Sequence, residues 1–122
     1  MNFLAIDYGT KRIGLATAVN GVISPISPIK NDNSLIDNLR QIINEYQIDK
    51  IYVGISEGEF AQKTRKFVEK LRLMVELDIE FVEEAVSTIE ADEIYKENKK
   101  PKKKYKSLID SVSAAVILRR AI

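Results

Sequence analysis

The sequence contains no cysteine, no histidine and no tryptophan in 122 residues. Without cysteine there is no disulfide, no thiolate-bound zinc, no iron–sulfur cluster and no cysteine nucleophile. Without histidine there is no Ser-His-Asp triad, no imidazole acid–base catalyst and no zinc site built on imidazole. No apolar run approaches the roughly 20 residues that a membrane-crossing helix needs. The start, Met1 to Ile6, lacks a basic region followed by a long apolar core and so does not read as a signal peptide. The expectation is a cytoplasmic protein with no membrane partner.

What is present is carboxylate, hydroxyl, amide and amine chemistry. That donor set suits a hard, oxygen-seeking cation such as magnesium or manganese. Apolar residues make up 45% of the chain and charged residues 30%, the profile of an ordinary globular protein. The length predicts one domain, spanning residues 1–122. A formal net charge of +1 says little about partners. Its distribution says more, because Lys96 to Lys106 holds seven lysines against the single acid Glu97.

The order of elements follows from periodicity. Asn2 to Asp7 reads as a short apolar strand, Phe3-Leu4-Ala5-Ile6, closed by an acid and a Tyr8-Gly9-Thr10 turn. A second apolar stretch runs from Ile13 to Ala18, and Asn20-Gly21 then marks a tight hairpin. Val22 to Ile29 is β-branched but carries Pro25 and Pro28, which suggests an edge strand or a bend. These segments predict a three-stranded antiparallel meander.

The period then changes. Asn33-Ser34 can cap a helix whose apolar positions are Leu35, Ile36, Leu39, Ile42, Ile43 and Tyr46. Lys50 to Ile55 predicts a central strand. Phe60 to Val75 predicts a helix with a buried stripe of Phe60, Thr64, Phe67, Val68, Leu71, Met74 and Val75. Leu77 to Glu84 predicts a fifth strand. Ser87-Thr88-Ile89-Glu90 fits a capping box for a helix toward Tyr95. A last helix follows from the Ser107 cap to the end, with Asp110 in its first turn. Such alternation predicts an α/β fold, a mixed five-stranded sheet flanked by helices on both faces.

Four acids lie where sites collect in such a sheet, at strand ends and helix starts. Asp7 ends the first strand, Glu83 and Glu84 end the fifth, and Asp110 opens the last helix. Convergence of three of them would require a cation or a proton to relieve their repulsion. Two divalent ions about 4 Å apart can activate water and stabilise the leaving oxygen of a phosphodiester. The plainer reading is that strand-end acids are solvated or cap a helix. Asp7 resists it, since it follows four apolar residues and precedes a glycine turn.

The words of the sequence also resemble a known family. Asp7-Tyr8-Gly9-Thr10-Lys11-Arg12-Ile13-Gly14 looks like the opening signature of the YqgF family. That family is also called RuvX and is described both as Holliday junction resolvases and as pre-16S ribosomal RNA nucleases. Lys50 to Ile55 is similar to its strand ending in Gly-Leu-Pro, and Glu83 to Thr88 to its Asp-Glu-Arg-x-Ser-Thr word. Ile109 to Ala115 resembles its Val-Asp-x-x-x-Ala-Ala helix. The resemblance implies a ribonuclease H-like nuclease acting at the 5′ end of precursor 16S ribosomal RNA. It implies Asp7, Glu84 and Asp110 as catalytic metal ligands, holding magnesium or manganese as two ions. Glu84 matches the motif's glutamate, whereas Glu83 stands where the family has aspartate. The chain departs from the pattern at Ala85, where arginine is usual, and in a shortened loop over residues 54–59.

Basic residues supply the expected nucleic-acid contacts. Lys11 and Arg12 sit on the turn beside Asp7. Lys99, Lys100, Lys102, Lys103, Lys104 and Lys106 form a tract suited either to a solvated loop or to a polyanion. The expected partner is structured precursor ribosomal RNA or branched DNA, bound by a monomer or weak homodimer. Three readings stand open: an rRNA-processing endonuclease, a Holliday junction resolvase, and a weakly or non-catalytic module for structured nucleic acid. An Asp-x-Gly-Thr start also resembles sugar kinases and actin-like ATPases. Those need two such domains, and no second copy of the word is present.

Overall fold

The computed structural model describes residues 1–55, 58–83 and 109–122, with residues 109 and 110 described by their backbone. Strands β1 (Phe3–Asp7), β2 (Arg12–Val19) and β3 (Val22–Lys30) come first. Helix α1 (Leu35–Tyr46), strand β4 (Lys50–Ile55), helix α2 (Glu59–Met74) and strand β5 (Asp78–Glu83) follow. The last described helix, α3, spans Ile109–Ala121.

The strands form one sheet in the order β3-β2-β1-β4-β5. β1 pairs antiparallel with β2, and β2 with β3, whereas β1, β4 and β5 are mutually parallel. This is the mixed five-stranded sheet that the strand–helix order predicts, and it is consistent with the ribonuclease H-like arrangement that the family resemblance implies. The Asn20-Gly21 turn has the left-handed backbone that the sequence pattern demands, with φ of 53° and 79°. β3 is an edge strand, so Pro25 and Pro28 break no outer ladder.

Two-residue alternation divides the core between the two faces. Leu4, Ile6, Ile13, Leu15, Ile51, Val53 and Ile79 face the layer of α1 and α2, where Leu39, Phe67, Val68 and Leu71 cover them. Ala5, Ala16, Ala18 and Tyr52 face α3 and meet Ala114, Ala115 and Leu118. The β1 strand, buried on both faces, therefore carries an unbroken apolar run, as central parallel strands do. At the amino edge of the parallel strands, Lys50 pairs with Glu80 at 2.9 Å and Asp78 at 3.5 Å. The hydrogen bond to Glu80 holds its ammonium above the ordinary lysine range.

Several local expectations are corrected. Ser34 precedes α1 but makes no side-chain cap bond. Instead its own N–H donates to Asp32 Oδ1 at 2.9 Å, an Asx turn that shapes the approach to the helix. Met74 is exposed, because α2 ends there and turns its last residues outward, and Ala61 takes a buried place on the stripe. Strand β5 is described as far as Glu83. Glu84, the helix expected from Ser87 and the whole lysine tract lie outside the described residues. Among the described residues, no helix is long and apolar enough to cross a membrane.

Candidate functional site

β1, β4 and β5 all point their carboxyl ends to one edge of the sheet, and Asp7 is the last residue of β1. That edge is where open α/β sheets place their ligands. Phe3 and Ala5 face α3, so alternation turns half-buried Asp7 to the same face. Its ladder partner is Gly14. A cavity of about 250 Å³ opens there, lined by Asp7, Gly9, Thr10, Lys11, Arg12 and Gly14. The structure thus brings one carboxylate, one hydroxyl and two cationic side chains around a single turn.

Gly9 is required by that turn. A Cβ at this position would fall inside contact distance of the Arg12 carbonyl oxygen, a backbone atom that cannot swing aside. Asn31 clips the same turn from outside. Its backbone N–H donates to Lys11 O at 2.9 Å, and its Nδ2 donates to Gly9 O at 2.8 Å. Tyr8, next to Asp7, faces the other way, stacks on Phe67 with ring centroids 4.6 Å apart and touches Phe60 at 5.9 Å. Ile6 and Tyr8, the two neighbours of Asp7, are thereby both anchored in the α1 and α2 layer, opposite the face that Asp7 takes.

α3 starts at this edge as well. The Leu15 N–H donates to Ser111 Oγ at 3.2 Å, with Ser111 fully buried. Leu15 lies opposite Ile6 in the ladder, one pair from Asp7 and Gly14. Asp110, the residue before Ser111, therefore occupies the first turn of a helix that begins beside the end of β1. Glu83 lies on the opposite face. Phe81 packs with the α1 and α2 layer and Val82 with α3, so alternation puts Glu83 on the side away from Asp7.

Of the residues expected from sequence, Asp7, Thr10, Lys11 and Arg12 share one cavity, and Asp110 belongs to the helix that starts at its edge. Glu84, Lys99, Lys100, Lys102, Lys103, Lys104 and Lys106 lie outside the described residues. Among the described residues no three carboxylates gather as a metal-binding group. Asn31 and Ser111 were not singled out by sequence reasoning. Asn31 follows the third strand directly, and it reaches the turn only through a bulge in the β2–β3 ladder that hairpin register alone does not give. Ser111 carried only the ordinary signal of a polar residue in an apolar helix.

The chain is similar to known proteins along its whole length. The family description RuvX, Holliday junction resolvase, matches over residues 1–122. A protein of Sulfurihydrogenibium named "Putative pre-16S rRNA nuclease" is 36% identical over 126 residues, covering 95% of this chain and 86% of its own. One of the same name from Rhodobacter capsulatus is 32% identical and covers 96% and 80% of the two chains. Among solved structures, the fowlpox virus Holliday junction resolvase aligns with TM-score 0.59 at 15% identity, over 99% of this chain and 96% of that one. RuvC of T. thermophilus, solved with a Holliday junction substrate, aligns with TM-score 0.56 at 9% identity, over 98% and 96%. At such low identity these two likenesses speak for the fold, while the full-length family match and the 36% identical relative speak for kinship. The chain belongs to the RuvX family of phosphodiester-cleaving nucleases and resolvases.

Proposed function

We propose that this protein is a divalent-metal-dependent endonuclease that processes the 5′ end of precursor 16S ribosomal RNA, with Asp7, Glu84 and Asp110 as its metal ligands. The observation that carries the reading is the position of Asp7. It ends the central strand, faces α3 near that helix's first turn, and shares a cavity with Lys11 and Arg12. The relatives named for pre-16S ribosomal RNA favour that substrate.

The donor chemistry fits magnesium or manganese, since carboxylate oxygens are the ligands such ions take. Bound there as a pair, the ions would supply an activated water and a stabilised leaving oxygen. The chain's own residues do the rest. Asp7 holds its carboxylate at a fixed point because its strand is central and its ladder partner is Gly14. Lys11 and Arg12 offer charge-assisted hydrogen bonds to phosphate oxygens from the turn beside it. Glu84 and Asp110 enter through the family motifs that they match. The expected setting is the cytoplasm.

The family's description as resolvases favours a four-way DNA junction as second substrate. A manganese-supplemented cleavage panel of precursor RNA and four-way junction decides between them. Asp7→Asn should abolish cleavage of the true substrate while leaving its binding within about threefold. Equal, negligible cleavage by both proteins would overturn the enzyme reading in favour of a binding module.

A further inference from the structure

On the other side of the β1 end from Asp7 lies a second cleft, of about 510 Å³, between α2 and the segment that leads from β3 into α1. Lys63, Lys66 and Lys70 line one wall, at helical spacings that put all three on one face of α2. Tyr8 and Asn31 line the other side. The single acid in the lining, Asp32, already spends a carboxylate oxygen on the Ser34 N–H. Among the described residues none of the three lysines is ion-paired. Three ammonium groups against the one carboxylate of Asp32 leave the cleft with a positive potential, which a row of phosphates would lower.

The geometry points to this cleft as a seat for the backbone of a single-stranded tail of the nucleic-acid substrate, about three nucleotides long. The inference rests on the nucleic-acid reading above. Lys63 to Lys70 spans seven helical residues, roughly 10 Å at 1.5 Å each. That matches about three steps of a stacked strand at roughly 3.4 Å per nucleotide. The cations stand on one wall only, a row that a single phosphate backbone can follow. Continuity with the Asp7 cavity comes through Asn31, which lines this cleft while its amide holds Gly9 O of the other. A strand crossing the end of β1 passes from one to the other.

The test compares a labelled RNA hairpin carrying a six-nucleotide single-stranded tail with the same hairpin made blunt, by fluorescence anisotropy in EDTA across a salt series. The wild-type protein should bind the tailed hairpin at least tenfold more tightly. The Lys63→Ala, Lys66→Ala, Lys70→Ala protein should lose that increment. Its salt slope on tailed RNA should fall by about 2, at roughly 0.7 for each phosphate no longer neutralised. The triple lysine-to-arginine protein should retain both, and Arg65→Ala, off the cleft lining, should change neither. All three lysines are exposed, so melting curves should superimpose. A triple alanine protein with the tail increment and slope intact overturns the cleft assignment and leaves the nuclease reading standing. Equal losses on tailed and blunt hairpins overturn the single-strand assignment. Failure of the wild type to bind either hairpin or a four-way junction overturns both readings.

Discussion

The Leu15 N–H and the Ser111 Oγ, 3.2 Å apart, join the start of α3 to the strand that lies opposite Ile6. The bond is buried, and it fixes where the first turn of α3, whose backbone includes Asp110, stands relative to the end of β1. Ser111→Ala removes the acceptor and strands a buried backbone N–H, a loss of about 1–3 kcal/mol. Urea unfolding should show that loss. Metal-dependent cleavage should fall further than the unfolded fraction accounts for, with substrate binding in EDTA unchanged. A fall in cleavage that tracks the folded fraction alone would reduce Ser111 to a stability role.

Gly9→Ala tests the turn itself. The new methyl would meet the Arg12 carbonyl oxygen, so the Tyr8-to-Arg12 backbone has to open. Overpacking of this kind costs about 1–3 kcal/mol. Because Gly9, Lys11 and Arg12 line the same cavity as Asp7, nucleic-acid affinity and cleavage should fall together. Thermal unfolding combined with anisotropy measures both. A protein with unchanged melting and unchanged affinity would show that the turn has slack.

Asn31 offers a sharper comparison, because its amide nitrogen donates to Gly9 O. Asn31→Ala loses a part-buried hydrogen bond, about 1 kcal/mol. Asn31→Asp sets a charged acceptor against a carbonyl acceptor, and should be worse than alanine at neutral pH. At about 1 M salt, which screens the lysines of the cleft that Asn31 lines, the folded state favours the protonated carboxyl, which can donate, so the carboxyl's folded pKa is raised. The stability of Asn31→Asp should therefore recover toward wild type as pH falls from neutral to about 4, the unfolded carboxyl's value, while Asn31→Ala shows no such recovery. Denaturant midpoints for the two variants at pH 7 and pH 4 give the answer, and parallel curves would remove the proposed donor role.

Asn31 also marks the limit of what the sequence discloses. The meander, the parallel strands and the buried stripe of α2 follow from periodicity and the Asn20-Gly21 turn, because strand and helix periods are local properties. Register beyond the first hairpin is not local. From Leu15↔Ile26 to Ile13↔Ile29 the ladder shifts by one residue, with Ser27 and Pro28 set against Gly14. Without that bulge Lys30 would stand opposite Lys11; with it, Asn31 does. The position of Asp7 was legible because a strand end followed by a glycine turn is a linear pattern. The Ser111 bond spans 96 residues. Its formation depends on how closely α3 packs, which no local pattern encodes.

That packing is set by small side chains. Ala5, Ala16 and Ala18 on the sheet meet Ala114 and Ala115 on α3, all at 1% exposure or less. An alanine layer lets a helix lie close to a sheet, and closeness is what permits a serine hydroxyl to reach a backbone N–H. Ala16→Leu should push α3 outward and cost about 1–3 kcal/mol in stability. Because the helix start moves with the rest, the Ser111 bond should be lost with it. Ser111→Ala added to Ala16→Leu should then cost less than in the wild-type background, a coupling of at least about 0.5 kcal/mol in a double-mutant cycle. Cleavage should fall in Ala16→Leu even though the substitution lies two residues beyond Gly14, the ladder partner of Asp7. Strict additivity of the two substitutions, with cleavage retained, would mean that α3 is held in place by something other than its alanine contact.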